Sequence, residues 1–312
     1  SASLNQTKPM MAIAIAALLL NCLLNWVLIY GHWGFPKLGG VGCAWATMLC
    51  TWFNLLGLLW WMQRSPAYRS TWPFDRFEWP HRQKVQSLLK LGLPIGVTYF
   101  AESSAFSLIA LLVAHFGSTQ VAAHQIALNF SSLVFMLPLS LGIALLSRVG
   151  HALGAGDAQA ARFRSAVGVA LSVGLAAVTA ALMALFSHQI AALYTTDAQV
   201  AHIAAGLLFL AALFQISDAA QVSTSCAIRG YKVTRSPMVI HLTAFWVFAL
   251  PLGCVLGLAP EWLPWGPAVA MQAQGFWISL VVGLTVAAGC LGFLLHHVAN
   301  RHIEEAAARA VH

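Results

Sequence analysis

Charge is what this chain of 312 residues has least of: Asp, Glu, Lys and Arg make up 8% of it, against 60% apolar residues. An ordinary globular domain carries about a quarter charged residues, so a surface facing water on all sides is excluded. Lipid is the solvent that suits such a composition. The 12 Trp agree, because many stand near the ends of apolar runs, where indole rings favour the membrane interface. A cysteine framework is missing as well. Cys22, Cys43, Cys50, Cys226, Cys254 and Cys290 show no CxxC spacing and no paired histidine, and they read as small packing residues. HExxH, GxSxG and P-loop lysine motifs are absent too. Gly154-Ala155-Gly156-Asp157 matches the GxGD pattern of intramembrane aspartyl proteases. No partner Tyr-Asp motif stands in a span, however, and Asp157 is placed to cap a helix starting at Ala158. An intramembrane enzyme is the remote reading, with no nucleophile–base set to support it.

What is present is a succession of long apolar runs. A spanning helix needs about 20 mostly apolar residues, and eight such runs can be drawn, near 10–30, 41–62, 91–115, 122–147, 165–187, 200–226, 238–258 and 275–297. The expected fold class is therefore an all-α integral membrane protein with eight transmembrane helices. Of the 16 Lys and Arg, 15 lie before run 1 or after runs 2, 4, 6 and 8; Lys37 is the exception. Cations concentrate on the cytoplasmic side of membrane proteins, so both termini are expected in the cytoplasm. The same alternation disposes of nucleic acid as the partner implied by the net charge of +7, since the cations never form one face of a folded domain. The polar stretch between runs 2 and 3 reads as a linker on the membrane surface, with Trp72, Phe74, Phe77 and Trp79 towards the headgroups. This gives three parts: 1–62, the linker 63–88, and 89–312 with a short tail. A faint internal repeat relates Tyr30-Gly31 to Gly42 with Leu256-Gly257 to Pro267, both short Gly/Pro loops between spans.

Nine residues are acidic, and seven of them lie in or beside loops. Glu102 and Asp218 are the other two, deep inside runs 3 and 6. An ionisable group at membrane depth is costly and marks an ion or proton pathway. The plainer reading, a carboxylate neutralised by a neighbouring base, finds no Lys or Arg within either run, Arg229 lying just past the end of run 6. Polar neighbours recur at helical spacing: Gln215, Asp218, Gln221 and Ser225 on run 6, and Gln125, Asn129 and Ser132 on run 4 beside His124. Thr98 and Tyr99 precede Glu102 by one turn. Hydrogen bonding between helices accounts for the Asn and Ser, but not for two carboxylates. Three stripes on three spans imply a shared hydrated cleft. Pro94 and Pro138 lie within runs 3 and 4 and are candidate hinges. His124 reads equally well as a packed ring or a proton carrier.

Gly92-Leu93-Pro94-Ile95-Gly96 leading to Glu102 resembles the opening of the seventh helix of NorM-type members of the multidrug and toxic compound extrusion (MATE) family. Ala123-His124-Gln125-Ile126-Ala127-Leu128-Asn129-Phe130-Ser131-Ser132, Gln215-Ile216-Ser217-Asp218, Arg229-Gly230-Tyr231-Lys232 and Leu38-Gly39-Gly40-Val41-Gly42-Cys43 agree with the same pattern, in order along the chain. The resemblance implies a twelve-helix, two-lobed transporter of which this chain supplies helices five to twelve. The start at Ser1, without Met or signal peptide, fits that expectation. It also implies a monomeric exporter in the bacterial inner membrane, needing no cofactor and antiporting small cationic amphipathic drugs, toxic organic cations among them, against Na⁺ or H⁺. Glu102 and Asp218 match the family's cation-binding carboxylates and would ligate the metal ion if coupling is to Na⁺. A Tyr that some members carry one turn before the second carboxylate is Phe214 here, which removes a hydroxyl and leaves a ring for cation–π contact. The alternative within the superfamily, a lipid-linked oligosaccharide flippase, calls for basic residues in the cavity, and the runs contain none.

Overall fold

The computed structural model describes residues 8–34, 36–65, 81–259 and 269–311, and all regular structure among them is helical. Two compact units form, Ser1–Pro80 and His81–His312. In the first, α1 (Lys8–Tyr30) and α2 (Gly40–Arg64) make an antiparallel hairpin. Their approach is set by Gly42, where a Cβ would stand 2.6 Å from the Leu28 carbonyl oxygen. Small residues at such crossings let helix backbones meet in lipid, where no hydrophobic drive pushes them together.

The second unit contains α3 (Arg82–Ala114), α4 (Ser118–Gly154), α5 (Ala158–Leu185), the short α6 (Ser187–Tyr194) and α7 (Ala198–Gly230). Then follow α8 (Arg235–Leu242), a π-helical segment Thr243–Ala249, α9 (Leu250–Leu258) and α10 (Gln272–Val311). The segment from α8 to α9 counts as one span, so among the described residues eight helices are long and apolar enough to cross a membrane. The wide turn in that span has a visible cause. Pro251 has no N–H to give the carbonyl four residues back, and the Leu250 N–H bonds Phe245 O, five residues back. Asp157 caps α5 as expected, its Oδ1 accepting the Ala160 N–H at 2.8 Å.

Helix α7 runs through the middle of this unit, packed against α4, α5, α6 and α10. Alanine permits this: Ala204, Ala205, Ala211, Ala212, Ala219 and Ala227 are all buried. Around it Phe245, Phe276 and Trp277 fill the core, while Leu111, Leu182, Val247 and Phe293 project outward as a lipid-facing surface would. The α9–α10 contact is a close glycine-mediated approach of backbone to backbone and ring. A Cβ on Gly275 would stand 2.6 Å from the Gly257 nitrogen, and one on Gly257 would stand 2.5 Å from the Phe276 ring.

Several expectations need amending. The helices outrun the apolar stretches: α3 begins at Arg82, not near 91, and α10 continues to Val311. Backbone hydrogen bonding does not stop where lipid stops, and Gln, Lys and Arg are good helix formers. Gln63 and Arg64 accordingly belong to α2, and residues 82–88 to α3. Trp72, Phe74, Phe77 and Trp79 of the proposed linker, and the 265–267 part of the loop repeat, lie outside the described residues.

The glycine crossing yields a paired prediction. Gly257→Ala should destabilise the chain by about 1–3 kcal/mol through overpacking against Phe276. Gly289→Ala, where a Cβ meets nothing within 4 Å, should leave stability unchanged or raise it slightly. Thermal unfolding of both variants in one detergent reads the difference.

Candidate functional site

A helix turns about 100° per residue, which decides what Asp218 can share its face with. Phe214 lies about 40° to one side of Asp218 and Gln215 about 60° to the other. The structure follows this geometry. Phe214 and Asp218 open from α7 into a cavity of about 470 Å³, and α3 contributes Glu102 and, one turn on, Phe106. From α4 come Gln125, Leu128, Asn129, Ser131, Ser132 and Phe135, and from α10 Trp277. Asp218 is almost wholly buried and Glu102 partly so. Among the described residues neither carboxylate belongs to an ion pair; the pair found is Arg301–Glu305, far along α10.

One wall of the cavity is aromatic. The Phe106 and Phe214 rings meet edge to face with centroids 6.0 Å apart, and Phe214 meets Trp277 the same way at 5.6 Å. Edge-to-face packing holds these rings rigid, and ring faces are attractive to cations. The other wall is oxygen-rich. Ser131 Oγ is buried without a partner, and Asn129 Oδ1 accepts a hydrogen bond from Tyr194 Oη of α6 at 3.0 Å. Two carboxylates with hydroxyl and amide oxygens suit a hard cation or a proton. Among the described residues no group of three or more His, Cys, Asp or Glu is arranged so as to hold a metal ion.

The cavity thus gathers Glu102, Gln125, Asn129, Phe214 and Asp218 of the expected set and leaves out four others. Gln215 is fully buried on the flank of α7, both ends of its side chain lacking a protein partner. Gln221 is buried one turn beyond Asp218. His124 lies behind the cavity wall, where its Nδ1 accepts the Trp277 Nε1–H at 3.2 Å. That bond fixes the orientation of the indole, which makes His124 a packed ring supporting the wall. Tyr99 points away from the cavity towards Arg229, which donates from Nη1 to the Tyr99 hydroxyl at 3.1 Å and lies 5.1 Å over its ring. Pro94 and Pro138 are buried within unbroken helices, with Thr98 Oγ1 bonded to Pro94 O at 2.9 Å.

Arg229 also corrects the expectation that it lies past the end of its span. It belongs to α7, 11 residues from Asp218 and hence about 20° from it around the helix. Arg229 thus lies on the carboxylate face of α7, towards the C-terminal end of that helix. Phe106 was available to the same arithmetic, four residues beyond Glu102. Trp277 was not, because a Trp near the start of a run reads equally well as an interfacial ring.

These features define a polytopic membrane-spanning helix bundle with two carboxylates in an aromatic-walled cavity. The family model for MatE matches residues 94–255, and the chain belongs to that family. It is 50% identical over 304 residues to the multidrug resistance protein PmpM of Pseudomonas aeruginosa, covering 97% of this chain and 62% of that one. To a probable multidrug resistance protein NorM of Chromobacterium violaceum it is 43% identical, covering 97% and 64%. The chain therefore spans less than two thirds of the length of these relatives. Among solved structures, the eukaryotic MATE transporter AtDTX14 superposes with a TM-score of 0.81 at 21% identity, covering 96% of this chain and 65% of that one. An outward-facing multidrug resistance MATE transporter superposes at 0.79 and 20%, covering 94% and 63%.

The Trp277–His124 bond makes a second prediction. Trp277→Phe leaves both ring nitrogens of His124 buried without protein partners and should cost about 1–3 kcal/mol of stability. Gln125→Ala, at an open position of the cavity, should change it by under about 0.5 kcal/mol. Equal melting temperatures for the two variants would contradict the wall-support role.

Proposed function

We propose that this chain works in a secondary active multidrug exporter, with Glu102 and Asp218 as the site at which a coupling Na⁺ or H⁺ and a cationic drug exclude one another. The observation that carries the reading is the pairing of two carboxylates, neither in an ion pair among the described residues, with an aromatic wall in one cavity. A carboxylate held away from water is stabilised by a proton or a metal cation. If Na⁺ is the coupling ion, both carboxylates and the unpartnered Ser131 hydroxyl are its protein ligands. An amphipathic cation answers the same negative charge and adds ring contacts with Phe106, Phe214 and Trp277. Occupancy by one disfavours the other, and antiport follows when the two occupied forms open to opposite sides. Pro94 and Pro138 are the proposed points of bending. The names of the relatives support drug export, and no described lining residue is Lys or Arg, which leaves a pyrophosphate-linked flippase substrate without a counter-charge.

The reading includes orientation. The even-numbered spans end beside the cations, so we place those ends, and both termini, in the cytoplasm of a bacterial inner membrane; the exporter is taken to act as a monomer. A cysteine at Gln159 should react with a membrane-impermeant maleimide only from the cytoplasmic side, and one at Ser118 only from outside. The reverse pattern would overturn the orientation.

Activity tests the site. In the complete exporter, Glu102→Gln and Asp218→Asn should each reduce cation-driven ethidium efflux at least tenfold at unchanged expression. Efflux retained by both variants would make the carboxylates structural. Phe214→Tyr, which adds a hydroxyl beside Asp218, should alter the relative efficiency of Na⁺ and H⁺ as driving ions.

A further inference from the structure

A second cavity, of about 360 Å³, lies where the C-terminal ends of α4 and α7 meet the start of α5 and the later turns of α10. Its floor is backbone. Gly150 and Gly154, one turn apart on α4, leave open space where a Cβ would stand, and so does Gly156 at φ +81°. Tyr231 and His302 form a wall, their rings 5.2 Å apart, and the Tyr231 hydroxyl is 3.5 Å from Ser165 Oγ. Lys232 stands at the rim in a left-handed conformation, φ +61°, which non-glycine residues seldom adopt.

The charges around this cavity are mostly of one sign. Burial pushes the Tyr231 phenol up, and the Ser165 hydroxyl and the Arg162 charge pull it partly back, so Arg162 stands within electrostatic reach. Arg164 is tied to the end of α4 through the Arg148 carbonyl at 3.2 Å. The carboxylate among the lining residues, Glu305, is held by Arg301 Nε at 3.0 Å, and nearby Asp157 is occupied in capping α5. The cavity therefore presents exposed backbone, a phenol, an imidazole and a lysine, with its one acid already paired. Basic pockets between helices at the cytoplasmic leaflet suit lipid phosphates, and each nearby Lys or Arg strengthens such binding about fivefold.

We propose that this cavity binds a phosphate group, with Lys232 as its principal charge contact and His302 and Tyr231 as hydrogen-bond donors. The ligand chemistry is shared by an anionic phospholipid headgroup and by a free phosphate, and the closing experiment separates the two. It also does not depend on the transport reading or on orientation, because it measures binding to the solubilised chain.

The full chain in detergent would be titrated separately with dioleoylphosphatidylglycerol, dioleoylphosphatidylcholine and inorganic phosphate, with retention read by native mass spectrometry and stability by melting temperature. Selective retention of phosphatidylglycerol identifies a lipid headgroup; protection by millimolar inorganic phosphate alone identifies a soluble anion. Lys232→Gln should weaken the bound species about fivefold, Gly154→Leu should abolish binding by filling the cavity, and Glu305→Gln should strengthen it. Lys232 and Glu305 are exposed, so neither polar substitution tests the fold. Unchanged retention in Lys232→Gln would overturn the proposal, as would weaker binding in Glu305→Gln, the behaviour of a site built for a cation.

Discussion

A carboxylate removed from water must be answered by a proton, a cation or a fixed base, and among the described residues Glu102 and Asp218 are given no ion-pair partner. The rest of the second unit is arranged around that constraint. The cost of an uncompensated charge at membrane depth runs to several kcal/mol, and in the proposed function a proton, Na⁺ or a cationic drug offsets it. Arg229 does not do so in this arrangement. It sits on the same face of α7 with its guanidinium committed to Tyr99, where it supplies positive charge below the site without neutralising either acid.

Placing charge at such a depth requires a helix that is enclosed and still opens at one point. α7 meets both demands through small side chains. Its buried alanines admit neighbours on several sides, while Phe214 and Asp218 keep one direction open. Rigid aromatic contacts then fix the opposite wall, from Phe106 through Phe214 to Trp277, with His124 anchoring the last ring. The polar residues of this region therefore divide by role. Some face the cavity, and others hold the walls in register.

That division explains what the sequence made legible and what it did not. Apolar length and the alternation of Lys and Arg announce eight spans, because the bilayer sets both patterns independently of tertiary packing. Glu102 and Asp218 stand out for the same reason. The cavity boundary was harder to read. Gln215 differs from Phe214 by one residue, or about 100° of helix, and a stripe defined by polarity includes a residue packed on the flank as readily as one that opens into the cavity. His124 and Tyr99 were drawn in as polar neighbours, although their partners, Trp277 and Arg229, lie more than 100 positions away in sequence. The π-helical turn ahead of Pro251 and the short α6 left no periodic signal, being products of a missing N–H and of local packing.

In the proposed function drug and coupling cation are alternatives at one pair of carboxylates, and linkage makes this directly measurable. Ethidium would be added to the solubilised exporter in weakly buffered solution while proton and Na⁺ release are recorded alongside drug binding. One or the other cation should be released as drug binds, and Asp218→Asn should abolish the release. Ethidium binding at full occupancy with neither ion displaced would contradict that reading.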